Sequence, residues 1–143
     1  MSDSSSWAVS KVMTPVPKVI DGLATVRQAM DLMRTSRVSS LVIDKRHPGD
    51  EYGIVVVQDI AEKVIAADRS PDRTSVYEIM SKPVLTVDAE MDMKYAIRLL
   101  ARFGLSRTLV TEGKRLIGLV TLRDMVFRYM EQEQAAKEES EQG

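Results

Sequence analysis

Cysteine is absent from the 143 residues. That excludes a disulfide framework and any thiolate nucleophile or ligand. Histidine occurs once, at His47, so neither a histidine-rich metal site nor a Ser-His-Asp triad has the residues it needs. Aromatics make up 5% of the chain, as Trp7, Phe103, Phe127 and four tyrosines. No apolar run approaches the roughly 18 residues of a membrane-spanning helix, and the opening MSDSSSW lacks the pattern of a signal peptide. The compartment expected from these absences is the cytoplasm, with no membrane partner.

Charge of one sign is also lacking over most of the chain. The net charge is −1, but residues 131–143, EQEQAAKEESEQG, carry five Glu against one Lys and leave the remainder at +3. Arg102, Arg107, Lys114 and Arg115 form no basic stripe with aromatics between them, so nucleic acid finds little support as a partner. The tail has little to bury and reads as a helical extension or as disorder, and residues 1–7 read as disordered too.

What is present is a phrase used twice. GIVVVQD (residues 53–59) returns as GLVTLRD (118–124), keeping the glycine and the aspartate and exchanging Val56 for Thr121. An offset of 67 aligns Met13 with Met80, Asp21 with Asp88, Ala29 with Ala96, Leu32 with Leu99 and Ser39 with Ser106. An offset of 65 then aligns Gly53 with Gly118, Val55 with Val120 and Asp59 with Asp124. The two-residue difference falls between KRHPGDEYG and EGKRLIG, as expected of a loop. The repeats run over 8–67 and 76–130, with 68–75 as a polar link and 131–143 as the acidic tail.

Each repeat reads as strand, helix, strand, strand, helix. Thr25 and Gln28 form a capping-box signature ahead of an apolar face of Val26, Ala29, Met30 and Met33. The counterpart helix begins at Asp92, with Met93, Ala96, Ile97 and Leu100 inward. SLVID and GIVVV, then RTLVT and RLIGLVT, are short β-branched runs parted by turn residues. The closing helices are QDIAEKVIAA and RDMVFRYM. One copy of about 55 residues is marginal in the apolar surface it can bury alone, so the expected fold is α+β, two tandem β-α-β-β-α repeats packed sheet to sheet with pseudo-two-fold symmetry. The methionines read as core filler.

In this order and twice over, the motifs VMTP and IMSKP, RVSSLVID and GLSRTLVT, and GIVVVQD and GLVTLRD resemble a tandem pair of cystathionine-β-synthase (CBS) domains, the Bateman module. The resemblance spans residues 8 to 130. Val42 and Leu109 stand where the family often has a proline in the second strand. The family implies a regulatory module without catalytic activity or catalytic cofactor. Its effector would be an adenosyl compound, AMP, ADP, ATP or S-adenosylmethionine, bound in clefts between the repeats. It further implies a homodimer acting in trans on an effector protein the sequence does not identify.

Carried over residue by residue, the resemblance implies two composite sites. Thr121, Arg123 and Asp124, with backbone around Leu119, would meet Lys18, Val38, Ser39 and Ser40. Asp59 would meet Leu85, Leu105, Ser106 and Arg107. The chemistry suits a ribonucleoside: a carboxylate accepts from both ribose hydroxyls, and a helix start favours a phosphate. Other readings stand beside it. TLRD is itself a capping-box pattern, and Ser39, Ser40 and Ser106 can serve as strand-end hydrogen-bonding groups. Val56 removes a hydroxyl from the second site, which favours a structural dimerisation module with vestigial clefts. An enzymatic role has no activated nucleophile, general-base histidine or metal cluster to rest on.

Overall fold

The computed structural model describes residues 7–15, 17–82 and 84–142; of the disorder expected over 1–7, residues 1–6 lie outside them, while Trp7 is half-buried against the core around Val9 and Met93. The chain forms two compact units, one made of the described residues of 1–16 and 85–143, the other of Pro17–Val84.

In the Pro17–Val84 unit, β2 (Val19–Ile20), β3 (Ser40–Ile43) and β4 (Gly53–Val56) form a sheet in the order β2-β3-β4, with β2 parallel to β3 and β3 antiparallel to β4. Helix α1 (Val26–Ser36) makes the crossover between the parallel strands. Its start follows the expected chemistry. Thr25 Oγ1 accepts from the Gln28 N–H at 3.1 Å while Gln28 Oε1 accepts from the Thr25 N–H at 2.9 Å. Arg37 ends the helix in the left-handed conformation, φ 57°. Helix α2 (Val57–Ile60) continues as a π-wound turn over Ala61–Ile65, with the Ala66 N–H reaching Ala61 O at 2.8 Å. Val26, Ala29, Leu41, Val55 and Val64 are fully buried and make the core, as the sequence periodicity requires.

The other unit orders its sheet β1-β7-β6-β5, from β1 (Thr14–Pro15), β5 (Thr86–Asp88), β6 (Arg107–Glu112) and β7 (Arg115–Thr121). Strand β5 is parallel to β6, and β7 is antiparallel to both β6 and β1. Helix α3 (Met93–Phe103) starts at Asp92, whose Oδ1 accepts from the Lys94 N–H at 2.8 Å, and ends on Gly104 at φ 65°. Helix α4 spans Leu122–Gln142 and runs through the acidic stretch that follows Met130.

The compact units and the sequence repeats divide the chain differently. Val9–Lys11 and β1 lead into the first repeat, yet Val9 is buried with Val87, Met93 and Met125, and β1 pairs with β7. The corresponding lead-in of the second repeat packs on the first repeat's core through Val76, Ile79 and Met80, and Ser81 pairs with Ile54 in both directions at 2.9 Å. The polar link is built into the same unit. The Val26 N–H donates to Thr74 O, the Arg27 N–H to Pro71 O, and the Arg27 guanidinium pairs with Asp72 at 3.1 Å.

Candidate functional site

The phrase that occurs twice lies in both units at the same structural place, where the last strand turns into the closing helix. In one unit β7 ends at Thr121, which faces Arg107 at the start of β6. The Leu122 N–H donates to Ser106 O at 2.8 Å, stitching the helix start to that strand. Leu105 lies just ahead, its N–H on Leu100 O at 2.9 Å. Leu119 is in register with Leu109, and Leu85 O accepts from both Thr108 Oγ1 and the Leu109 N–H. Leu85, Leu105, Ser106, Arg107, Leu119, Thr121, Arg123 and Asp124 therefore belong to one unit.

The other unit repeats the construction. Strand β4 ends at Val56 opposite Ser40, and the Val57 N–H donates to Ser39 O at 3.0 Å. The Val38 N–H closes α1 on Met33 O, and Lys18 O accepts from the Val42 N–H at 2.9 Å. Lys18, Val38, Ser39, Ser40 and Asp59 belong to this unit. Each composite set expected from the sequence thus draws on residues of both units.

The two aspartates differ in what already holds them. Asp59 Oδ2 accepts from the Val56 N–H at 3.0 Å, and its Oδ1 lies 3.2 Å from Lys63 Nζ. Valine has no side-chain acceptor, so this is half of a reciprocal cap. Lys63 is anchored further on Ile79 O at 3.1 Å. Asp124 is half-buried, and its carboxylate makes no hydrogen bond or ion pair among the described residues. The half-cap is reversed there: Thr121 Oγ1 accepts from the Asp124 N–H at 3.1 Å. The capping reading of TLRD therefore holds for the threonine hydroxyl and leaves the carboxylate without a partner among the described residues. A hydroxyl that accepts one hydrogen bond still carries its own O–H donor. Arg123 is exposed, with its guanidinium 5.2 Å from the Phe127 ring centroid.

Lys63 is the residue that motif reading missed. Its signal was available in the Asp59–Lys63 spacing of four, which puts both side chains on one helix face. Among the described residues no group of three or more His, Asp or Glu could hold a metal ion, and no helix is long and apolar enough to cross a membrane. His47 is exposed, its Nδ1 accepting from the Gly49 N–H at 3.2 Å.

Two strand–helix–strand–strand–helix repeats, each with an acid in the first turn of its closing helix, define a tandem-repeat α+β architecture. Residues 9–66 and 76–131 each match the CBS domain, and the chain belongs to that family. It is 34% identical over 97 residues to an uncharacterized protein of Methanopyrus kandleri, a match covering 66% of this chain and 48% of that protein. The chain thus spans about half the length of that relative. The hexameric CBS-CP12 protein from bloom-forming cyanobacteria is 34% identical, with a TM-score of 0.81 over 94% of this chain and 84% of that one. The fold is shared with two CBS proteins solved with ligands. The pair of protein MJ0100 holds 5′-methylthioadenosine and S-adenosylmethionine (21% identical, TM-score 0.76, 87% and 97% covered), and PAE2072 of Pyrobaculum aerophilum holds AMP (20%, 0.72, 82% and 88%).

Proposed function

We propose that the protein is a regulatory module that binds an adenosyl effector, AMP, ADP, ATP or S-adenosylmethionine, and acts in trans on a partner protein as a homodimer. The observation that carries this reading is the Asp124 carboxylate, half-buried in the first turn of α4 with no protein partner among the described residues. A carboxylate so placed suits the two hydroxyls of a ribose, while Thr121, whose oxygen accepts from the Asp124 N–H, retains an O–H that can donate to a phosphate. The adenosyl ligands of the fold relatives support the ligand class. The proposal keeps the composite assignment, with Lys18, Val38, Ser39 and Ser40 completing the Asp124 site, and Leu85, Leu105, Ser106 and Arg107 completing the Asp59 site. An effector regulates only through tighter binding to one conformation than to another.

Calorimetric titration with the four compounds tests it. Charge-assisted hydrogen bonds of about 1.5–3 kcal/mol each predict that Asp124→Ala weakens the tighter event at least about tenfold. No binding by any of the four at millimolar concentration would overturn the proposal. A second reading, a dimerisation module with vestigial clefts, is favoured by Asp59, whose carboxylate is already committed to Val56 and Lys63. In that case self-association persists in Asp124→Ala and no compound of the panel binds.

A further inference from the structure

The parallel strands β2 and β3 end at Ile20 and Ile43, away from Ser40 and Asp59 at the opposite end of the same sheet. A cavity of about 350 Å³ opens there, lined by Ile43, Asp44, Arg46, Tyr77, Met80 and Lys82 together with Gly22 and Leu23. Crevices outside the carboxyl ends of parallel strands are a recurrent place for ligands. The size falls at the lower end of small-molecule sites, and the lining has their usual character: apolar walls with a few convergent polar groups.

Of the residues that build this cavity, all but Met80, which matches Met13, differ between the two repeats. By the alignment that joins Met13 to Met80, Tyr77 corresponds to Ser10, Lys82 to Pro15 and Gly22 to Ala89. Arg46 comes from the loop that is two residues longer in the first repeat. A Cβ at Gly22 would sit 3.4 Å from Ile43 Cγ2 and 3.5 Å from Tyr77 Cβ, filling the floor where the second repeat has the buried methyl of Ala89. Core packing does not require such a gathering of differences, since the second repeat folds the same way without them.

The charges narrow the ligand. Lys82 Nζ is held at 2.7 Å by Asp50, whose side chain is 12% exposed. Arg46 lies 3.9 Å from the same carboxylate, yet its side chain is 78% exposed. Its planar fork suits a carboxylate. Asp44 in the lining opposes a multiply charged anion, and Arg46 and Lys82 are balanced by Asp44 and Asp50. Tyr77, Met80 and Ile43 offer an aromatic and aliphatic surface to a ring.

We infer that this cavity is a second ligand site, separate from the aspartate sites, that takes a small aromatic monocarboxylate with its ring against Tyr77 and Met80 and its carboxylate on Arg46. The test uses the full chain with benzoate, phenylacetate and indole-3-acetate, followed by amide chemical shifts in NMR. The expected result is saturable binding at millimolar concentration, with shifts centred on Gly22, Leu23, Tyr77 and Met80. Arg46→Ala and Tyr77→Ser truncate exposed side chains. Each should leave the spectrum folded and weaken binding about tenfold, the loss of one charge-assisted contact or one aromatic wall. Asp124→Ala should bind these acids as the unaltered protein does, which separates this site from the adenosyl proposal. Silence from all three acids, shifts centred elsewhere, or undiminished binding in both cavity variants would each overturn the inference.

Discussion

Asp50 holds the loop 45–52 to the lead-in of the second repeat through one carboxylate. Lys82 is the first cause that keeps it ionised well below the ordinary carboxylate range, with the Arg46 and Glu51 backbone N–H groups adding to it. A carboxyl whose folded pKa is depressed adds stability above the unfolded value of about 3.9. That stability is lost as the pH falls below this value toward the folded pKa, because the unfolded chain then binds the proton first. Asp50→Asn should therefore lower the melting temperature at neutral pH and flatten its decline below about pH 4. Thermal melts across that range check it, and an unchanged acid limb would mean the ion pair contributes nothing. A similar separation applies at the helix start. Thr121→Val removes the acceptor of the Asp124 N–H and should cost about 1 kcal/mol, read as a lower melting temperature. Asp124→Ala leaves that cap in place, so its main effect belongs in the titration, not in the melt.

At the scale of elements, the repeated glycines are explained by what packs on them. A Cβ at Gly118 would be 2.9 Å from Thr14 O and would collide with Met13 Sδ, so the close approach of β1 to β7 depends on a bare backbone. At Gly53 the nearest atom is Met80 Sδ at 2.8 Å, with Ser81 O at 3.3 Å. A thioether can swing away where a backbone carbonyl cannot. Gly118→Ala should thus cost about 1–3 kcal/mol, and Gly53→Ala less than about 1 kcal/mol; paired thermal melts decide it, and equal losses would refute the difference. The sequence showed the Met13–Met80 and Gly53–Gly118 identities, and hydrophobic periodicity placed the helices and strands close to their bounds except at the end of α4, where RDMVFRYM stops at Met130 and the helix runs to Gln142. It could not show which methionine meets which glycine, because an internal repeat aligns equally well either way. Nor could the shared acid in GIVVVQD and GLVTLRD show that Lys63 already holds Asp59. That depends on the helix winding and on Ile79 O, 16 residues further along the chain. The cavity beside Tyr77 was illegible for the same reason: its walls come from three stretches that no local pattern connects.

For the whole molecule, the exchange of lead-in segments means that a sequence repeat is not a folding unit. Val76 and Ile79 are buried in the core of the Pro17–Val84 unit, at 0% and 1% exposure, and burying each contributes about 1.5–3 kcal/mol. Against a net stability of about 5–15 kcal/mol for a domain, losing both removes much of what holds a unit this small. A fragment of residues 17–84 keeps them, together with the paired Ile54–Ser81 hydrogen bonds and the Lys82–Asp50 ion pair. A fragment of residues 1–67, the first repeat with its own lead-in, loses all of these and leaves Val9 without Val87, Met93 and Met125. The 17–84 fragment should show a cooperative thermal transition by circular dichroism and dispersed amide signals, and the 1–67 fragment neither. If 1–67 folds and 17–84 does not, each lead-in belongs to its own repeat, and the division at residues 17 and 84 is wrong.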